Sequence, residues 1–349
     1  MTEIIETEAH TVELHLDVLN DLLDAGFNEL CINEPGKIWT YGRGAWECVA
    51  MPILDYSWCE ALSVLVANYS GQKPGPIMSA HLPGGERIEI TNPPVTETPS
   101  ITIRVPRKGK ALTFDEIIEF GTFKNTNWIQ NRAMTDAQRK DMNPELSSRE
   151  HELLDLFHNK SLYEFFTKAV LYKKNIFFTG ETGSGKTALL NALSCHIPLS
   201  ERIIVVQDAK ESRLPHPNQV DLRFTRDSTS DDRHQIKAVL ASTLRQFPSR
   251  VLLQEIRGDE AYFFFQNVIN SGHPGTMASW HANSTRLAIR RMANMIQASP
   301  EGKSLSQELI IKDLYMLSDI LVQCDIGNDG KPCVREIYYD PEYALHIAG

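Results

Sequence analysis

Apolar and polar positions give the first part of the chain, residues 1–120, a mixed pattern of short strands and amphipathic helices. Four runs are typical of strands: ELCINEP, KIWTYGR, RIEIT and SITIRVP. Two longer stretches have apolar residues at i, i+3 and i+4 spacing, which is typical of helices with one buried face: VELHLDVLNDLLDAG and WCEALSVLVANYSG. The pattern predicts a small α+β domain.

The second part of the chain, residues 151–349, follows a different rhythm. Four strongly apolar runs recur with helical segments between them: NIFFTG, RIIVVQD, RVLLQEI and GTMASWHA. This alternation favours a parallel sheet covered by helices on both faces, and therefore an α/β domain. Between the two parts, residues 121–150 are polar, poor in aliphatic side chains and without sustained periodicity, which predicts a linker that acts as a hinge.

Composition narrows the class of protein without naming a function. The 349 residues, 42% of them hydrophobic, are enough for two cores. The net charge of −10 argues against a surface built mainly to coat nucleic acid, although a local basic channel is compatible with it. Six cysteines without a CxxC pair indicate reduced thiols rather than a disulfide framework or a zinc site.

Hydropathy and the first residues predict where the chain is found. The start, MTEIIETEAHTVELH, is acidic and lacks the basic and apolar parts of a signal peptide. No run approaches the roughly 18 apolar residues that a membrane span needs. We therefore expect a cytoplasmic chain whose contact with any membrane is peripheral.

The stretch FFTGETGSGKTALLNAL, residues 177–193, carries the strongest chemical signal. It fits the pattern G-x-x-x-x-G-K-[ST] between an apolar strand and a helical segment. Glycines let backbone N–H groups surround phosphate oxygens, the helix N-terminus adds partial positive charge, the lysine reaches the β and γ phosphates, and the threonine ligates Mg²⁺. The alternative is a glycine loop that merely turns. We expect the loop to bind ATP and Mg²⁺ through Gly180, Glu181, Thr182, Gly183, Ser184, Gly185, Lys186, Thr187 and Ala188.

Polar residues follow three further predicted strands, at the edge where open α/β sheets bind ligands. Glu255 follows RVLLQ and is the predicted catalytic base, the alternative being a solvated acid after a strand. Asp208 and Glu211 follow RIIVVQ and are predicted to bind Mg²⁺, directly or through water, unless they only open a loop. His281 ends the fourth run and is a candidate sensor of the γ phosphate, and His273 precedes that run.

Four segments in this order resemble the motifs of VirB11-type traffic ATPases of bacterial type IV secretion, within the secretion and pilus ATPase superfamily. They are FFTGETGSGKTALLNAL as Walker A, RIIVVQDAKESRLPHPNQVDL as the Asp box, RVLLQEIRGDEA as Walker B, and SGHPGTMASWHANS as the His box. INEPGKIW, LPGGERIEITNPP and SITIRVP are similar to the β-rich N-terminal domain of this family. Two positions depart from it: Gln207 stands where a Glu is common, and Gln254 where a Gly is common.

The resemblance implies a RecA-like motor domain and a ring of six subunits, in which each N-terminal domain leans over a nucleotide. It therefore gives several arginines a possible role. Arg104 is the better candidate for a phosphate contact from the N-terminal domain, because Arg87 alternates with isoleucines and also fits the exposed face of a strand. Arg132 is a further predicted nucleotide contact. The candidate arginine fingers around Walker B are Arg245, Arg250 and Arg257, with Arg257 kept among the catalytic residues.

The mechanism implied by the resemblance is attack of water on the γ phosphate, oriented by Glu255 and assisted by Mg²⁺, Lys186 and an arginine. Hydrolysis would drive domain motion that powers or gates type IV secretion. The implied partners are further copies of the chain and secretion components at the cytoplasmic face of the inner membrane: a coupling ATPase, a second secretion ATPase and inner-membrane subunits. No sequence-specific binding of nucleic acid is expected.

Alternative functions share the four motor motifs. One is a pilus-retraction or type II secretion ATPase, although the chain has no four-cysteine zinc element of the type II assembly form. The others are a nucleotide-gated scaffold that hydrolyses little ATP and a nucleic-acid translocase on the same fold. The net negative charge disfavours the translocase, because phosphate neutralisation needs a clustered basic track.

Overall fold

The computed structural model describes residues 2–42, 44–105, 111–208, 211–224, 232–258 and 260–349. The spatial grouping of Cα atoms divides the chain into two compact units. Unit 1 comprises Met1–Lys110, Asp208–Glu211 and Thr225–Asp232, and unit 2 comprises Ala111–Gln207, Ser212–Phe224 and Arg233–Gly349. Within the described residues, no helix combines the length and the apolarity that crossing a bilayer requires.

Unit 1 contains a six-stranded sheet in the order β3-β2-β1-β6-β5-β4, with antiparallel neighbours throughout. Its described helices are α1 (Thr2–Leu16), α2 (Asn20–Asp24) and α3 (Tyr56–Tyr69), with a 3₁₀ turn at Asp17–Leu19. Its strands are β1 (Glu29–Ile32), β2 (Lys37–Gly42), β3 (Ala45–Ala50), β4 (Ile77–His81), β5 (Arg87–Thr91) and β6 (Ser100–Arg104).

Alternation of side chains explains why these segments form a sheet with one buried face. On β5, Ile88 and Ile90 are buried while Arg87 and Glu89 between and beside them are not. The isoleucines belong to one apolar cluster with Leu62 of α3, which the i, i+3, i+4 pattern predicts as a buried helix position. The predicted α+β character of the N-terminal part is therefore confirmed.

Unit 2 contains an eight-stranded sheet in the order β10-β9-β11-β12-β8-β13-β14-β7. Its strands are β7 (Asn127–Ile129), β8 (Ile176–Thr179), β9 (Ile203–Gln207), β10 (Gln219–Arg223), β11 (Arg250–Leu253), β12 (Met277–Trp280), β13 (Ile320–Ile326) and β14 (Pro332–Tyr339). The strands from β10 to β13 in this order are parallel, β14 is antiparallel to β13, and β7 is parallel to β14.

Helices connect these strands. They are α4 (Phe114–Glu119), α5 (Asp136–Met142), α6 (Ser148–His158), α7 (Leu162–Leu171), α8 (Lys186–Ser194), α9 (Asp232–Arg245), α10 (Glu260–Phe263), α11 (Thr285–Ala298), α12 (Gln307–Leu317) and α13 (Pro341–Ala348). A 3₁₀ turn at Asn143–Glu145 follows α5, and a π-helical stretch at Phe264–Ile269 continues α10.

The four apolar runs of the sequence form the central strands β8, β9, β11 and β12. Every residue of these four strands is buried. Successive side chains of one strand enter two different apolar clusters. On β8, Phe178 packs into one cluster and Phe177 into the other. Two such cores require cover on both faces of the sheet, so the predicted α/β architecture is confirmed.

The structure assigns residues 121–150 to unit 2, where the sequence predicts a linker, and begins unit 2 at Ala111. The segment holds β7 and α5. Trp128 of β7 packs against the rings of Phe157 and Phe165, with centroids 5.1 and 5.4 Å apart. Arg139 of α5 forms an ion pair of 2.7 Å with Asp340 at the start of α13. Ring contacts of Trp128 and ion pairs of Arg139 with Asp340 and Glu342 anchor this polar segment. Such contacts leave no apolar periodicity in the sequence from which the fold of the segment could be predicted.

Candidate active site

The glycine-rich loop connects β8 to α8, as the strand-loop-helix pattern predicts. Gly180, Gly183 and Gly185 have φ values of 145°, 82° and 88°, in the region that favours glycine. A Cβ atom at Gly180 would lie 2.1 Å from the carbonyl oxygen of Cys324 on β13, so no other residue fits there. The hairpin of β13 and β14 therefore supports the loop. The sequence does not predict this contact, because nothing in the C-terminal stretch carries a motif.

Lys186, the first residue of α8, has a buried side chain that folds back over the loop. Its Nζ donates hydrogen bonds to the carbonyl oxygens of Gly180 and Glu181, at 2.9 and 2.6 Å. The helical ladder begins where the N–H of Leu189 donates to Gly185. The N–H groups before it have no acceptor inside the helix, by the geometry of any helix start. An ammonium group and these amides together can bind a polyphosphate.

The other predicted loop residues take different positions. Ser184 is buried, and its Oγ donates to the carbonyl oxygen of Glu181 at 2.7 Å. Thr187 and Ala188 are half-buried in the first turn of α8, and Thr182 is exposed. The buried serine holds the turn, while the exposed part of the loop is open to a ligand.

His281 and Glu255 lie at the same edge of the sheet as the loop, because β8, β11 and β12 are parallel and each residue follows its strand. His281 Nε2 lies 2.9 Å from Glu255 Oε1, and its Nδ1 lies 2.9 Å from the carbonyl oxygen of Gly180. The two ring nitrogens of His281 therefore each lie in contact with an oxygen, one on Glu255 and one on Gly180. His281 joins the loop to the carboxylate.

Glu255 is held ionised by its surroundings. Burial alone would raise its pKa, but the hydrogen bond from Arg257 and the charges of Arg257, His281 and Lys186 bring the pKa below its ordinary value. The carboxylate therefore stays charged at neutral pH and is able to orient a water molecule or accept a proton.

The structure distinguishes among the three arginines around Walker B. Arg257 follows β11 and contacts Glu255 at the loop edge. Arg250 begins β11 at the opposite edge, where its side chain is 0% exposed and forms a bidentate pair with Glu201, at 2.9 and 3.0 Å. Arg245 ends α9, before β11, and is exposed. Arg250 is fully buried in an ion pair of its own, and of the three arginines Arg257 is the one that lies beside Glu255.

Two predicted residues lie away from the loop. Arg132 follows β7, which runs antiparallel to β8, so it lies at the opposite edge of the sheet. The strand directions thus place Arg132 away from the loop of its own strand layer, and its expected nucleotide contact stays a prediction. His273 precedes β12 and lies at that opposite edge too, where its carbonyl oxygen accepts a hydrogen bond from Thr276.

The remaining candidates belong to unit 1. Arg104 ends β6, is paired in register with Arg87 of β5, and lies 3.6 Å from Glu29. Asp208 directly follows β9 and is buried, and Glu211 is half-buried. Their predicted contacts with nucleotide and Mg²⁺ stay predictions.

Comparison with known proteins places this site in a family. The model of the type II/IV secretion system protein family matches residues 146–318. The chain is 37% identical to the type IV secretion system protein VirB11 of Bartonella quintana over 333 residues, which cover 94% of this chain and 92% of the relative.

Solved structures agree with this relationship. The crystal structure of the VirB11 ATPase from the Brucella suis type IV secretion system, in complex with sulphate, matches with a TM-score of 0.53 and 35% identity, covering 96% of this chain and 99% of that one. The pilus retraction motor PilT with bound ADP matches with a TM-score of 0.54 but only 15% identity, covering 93% and 81%, which shows a shared fold alone. The predicted resemblance and the RecA-like fold are confirmed: the chain belongs to the VirB11 family of type IV secretion ATPases.

Proposed function

We propose that this ATPase works as a ring of six subunits in which ATP hydrolysis powers or gates a type IV secretion channel. The observation that carries the proposal is the contact chain from Gly180 through His281 to Glu255, which links a phosphate-binding loop to an ionised carboxylate. A loop that only turned the chain would need neither the buried lysine nor the histidine bridge. Membership of the VirB11 family supports the secretion role.

Nucleotide binding is proposed to use hydrogen-bond donors that contact the loop in this structure. The Nζ of Lys186 donates to two loop carbonyls, and the oxygens of the β and γ phosphates would replace them as acceptors. The N–H groups at the start of α8 would complete the cradle, where the helix dipole favours negative charge.

The nucleotide is proposed to bind together with Mg²⁺, which prefers oxygen ligands and usually takes one or two from protein and the rest from phosphate and water. Thr187 offers a half-buried hydroxyl in the first turn of α8, and Asp208 and Glu211 are the proposed carboxylate partners, directly or through water. When bound, Mg²⁺ would neutralise charge on the phosphates.

Each polar residue at the loop edge is given one role in the proposed reaction. Glu255 orients the attacking water and accepts its proton, which its lowered pKa permits at neutral pH. Arg257 contacts one oxygen of this carboxylate, and its exposed guanidinium is proposed to meet charge on a nucleotide. His281 reports the state of the γ phosphate, because a shift of the loop at Gly180 pulls on the same ring that contacts Glu255.

Proposed partners are further copies of the chain and the secretion components at the cytoplasmic face of the inner membrane, with peripheral membrane contact. The second candidate function, a nucleotide-gated scaffold with little hydrolysis, requires the same loop but no working base. The geometry around Glu255 favours the hydrolase, because an ionised carboxylate linked to the loop serves no purpose in mere binding.

Turnover and particle size test the proposal together. Steady-state phosphate release would be measured with Mg²⁺-ATP, with EDTA added, and with phospholipid vesicles or single-stranded DNA present. We expect Mg²⁺-dependent release and a particle of six chains by light scattering in the presence of nucleotide. Negligible release under every condition would favour the scaffold, strong stimulation by single-stranded DNA alone would favour a translocase, and a monomer at all nucleotide concentrations would contradict the ring.

A further inference from the structure

Four buried polar side chains connect the phosphate-loop helix α8 to the end of β11. The Nε2 of Gln254 donates to Ser212 Oγ at 3.1 Å, and that Oγ donates to Asn191 Oδ1 at 3.3 Å. The N–H of Ser212 donates to Gln207 Oε1, also at 3.1 Å. None of the four residues is more than 6% exposed. Such a network is costly to leave half-satisfied, so its members fix each other's positions.

The network joins segments that are far apart in the sequence. Asn191 lies on α8, four residues after Thr187 and so on the same face of the helix. Ser212 lies between β9 and β10, directly after Glu211. Gln254 directly precedes Glu255, so the network reaches from the helix that follows the loop to the residue beside the proposed base.

Backbone hydrogen bonds make Gln254 a fixed point. Its N–H donates to the carbonyl oxygen of Val206 on β9 at 3.0 Å. Its own carbonyl oxygen accepts a hydrogen bond of 2.5 Å from Ser279 Oγ on β12. Together with the side-chain hydrogen bond to Ser212, these bonds restrain Gln254 at three points. The backbone of Glu255, the next residue, is therefore restrained as well.

The two departures from the family motifs meet in this network. A glycine at position 254 has no side chain that could reach Ser212, whereas the amide of Gln254 supplies the donor that Ser212 Oγ accepts. Gln207 receives the backbone N–H of the same serine. The two glutamines therefore share one partner, Ser212, although Gln207 ends β9 and Gln254 follows β11.

We propose that Gln254, Ser212 and Asn191 are positioning residues for ATP hydrolysis, which hold Glu255 at a fixed place relative to α8. This inference rests on the proposed function of Glu255. The network is buried and its members lie outside residues 180–188, so its loss is expected to move the base while the loop keeps its nucleotide contacts. The consequence is a fall in kcat with little change in nucleotide affinity.

The test compares Ser212→Ala, Gln254→Leu and the double variant, with kcat, KM and the Kd of labelled ATP measured for each. Each single variant removes one or two neutral hydrogen bonds, so we expect kcat to fall about 3- to 10-fold. KM and Kd should stay within about twofold of the parent. The kcat of the double variant should lie within about twofold of the kcat of the slower single variant, because both substitutions remove the same hydrogen bond between Gln254 and Ser212.

The matched control is Ser194→Ala, which also removes a buried hydroxyl, on the same helix, but one that donates to the carbonyl oxygen of Leu190. Its kcat should match the parent. Unchanged kcat in both network variants, or losses in kcat and Kd of equal size, would overturn the inference. If Ser212→Ala does not fold, Gln254→Leu decides alone. A parent protein without turnover would refute the proposed function instead, so the two failures are distinguishable.

Discussion

Replacing Glu255 by glutamine is the most informative single change at the loop edge. The substitution keeps the shape of the side chain and removes its charge. In the parent, Oε1 faces His281 and Oε2 accepts a hydrogen bond from Arg257. Glutamine offers one acceptor oxygen and carries no charge, so the charge-assisted contact with Arg257 is weakened or lost.

Two effects of different size follow from this geometry. Loss of one hydrogen bond to a charged group lowers stability by about 1.5–3 kcal/mol. Loss of the base itself lowers kcat by about 10²- to 10⁴-fold, the usual contribution of a positioned proton acceptor. Nucleotide affinity should change little, because the proposed phosphate donors are Lys186 and the amides of α8, and the substitution leaves these groups in place.

A nearby buried carboxylate separates the two effects. Glu260 is also buried, and its Oε1 accepts the backbone N–H of Arg257 at 2.9 Å, but it has no proposed part in the chemistry. Phosphate release would be measured for Glu255→Gln and Glu260→Gln beside the Kd of labelled ATP. We expect Glu260→Gln to lose some stability but less than about tenfold in kcat. Turnover by Glu255→Gln at the parent rate, or equal losses in both variants, would refute the water-orienting role.

Two further predictions concern stability. Arg139→Met should lower the free energy of unfolding of unit 2 by about 3–5 kcal/mol, because it removes the cation that pairs with the buried carboxylates of Asp340 and Glu342. Denaturant titration followed by tryptophan fluorescence measures this loss, and a loss below about 1 kcal/mol would contradict the role of these ion pairs. Because the folded pKa of Glu255 lies below its ordinary value of 4.5, its ionisation stabilises the fold fully above that value and progressively less as pH falls through the folded pKa. Unfolding midpoints of the parent and Glu255→Gln should therefore converge as pH is lowered beneath 4.5, and a constant difference across that range would count against the assigned charge.

The sequence predicts the central strands and the loop of unit 2 because their signals are local. Phe177 and Phe178 sit in an uninterrupted apolar run, and the glycine pattern occupies eight consecutive positions. By contrast, β7 has only three residues and is anchored by contacts of Trp128 with helices that follow it in the chain. Strand β3 was missed because all its residues are exposed and no apolar alternation marks it.

The contacts between residues of the site could not be predicted from the sequence, although the residues themselves are visible there. The choice of Arg257 over Arg250 required the direction of β11, which places one at the loop edge and buries the other beside Glu201. The partnership of Gln254 with Ser212 joins positions 42 residues apart, and no spacing rule connects them. Both glutamines were visible as departures, but their common partner appears only in three dimensions.

The central claim is that the donors of the Gly180 to Thr187 loop bind the triphosphate of ATP, and equilibrium binding of labelled ATP to Lys186→Ala tests it most directly. Lys312→Ala, which removes an exposed lysine on α12, is the control. Loss of the charged hydrogen bonds of Lys186 should weaken binding about 10- to 150-fold, while the control keeps the parent Kd. Equal affinity of the parent and Lys186→Ala for ATP would contradict the account.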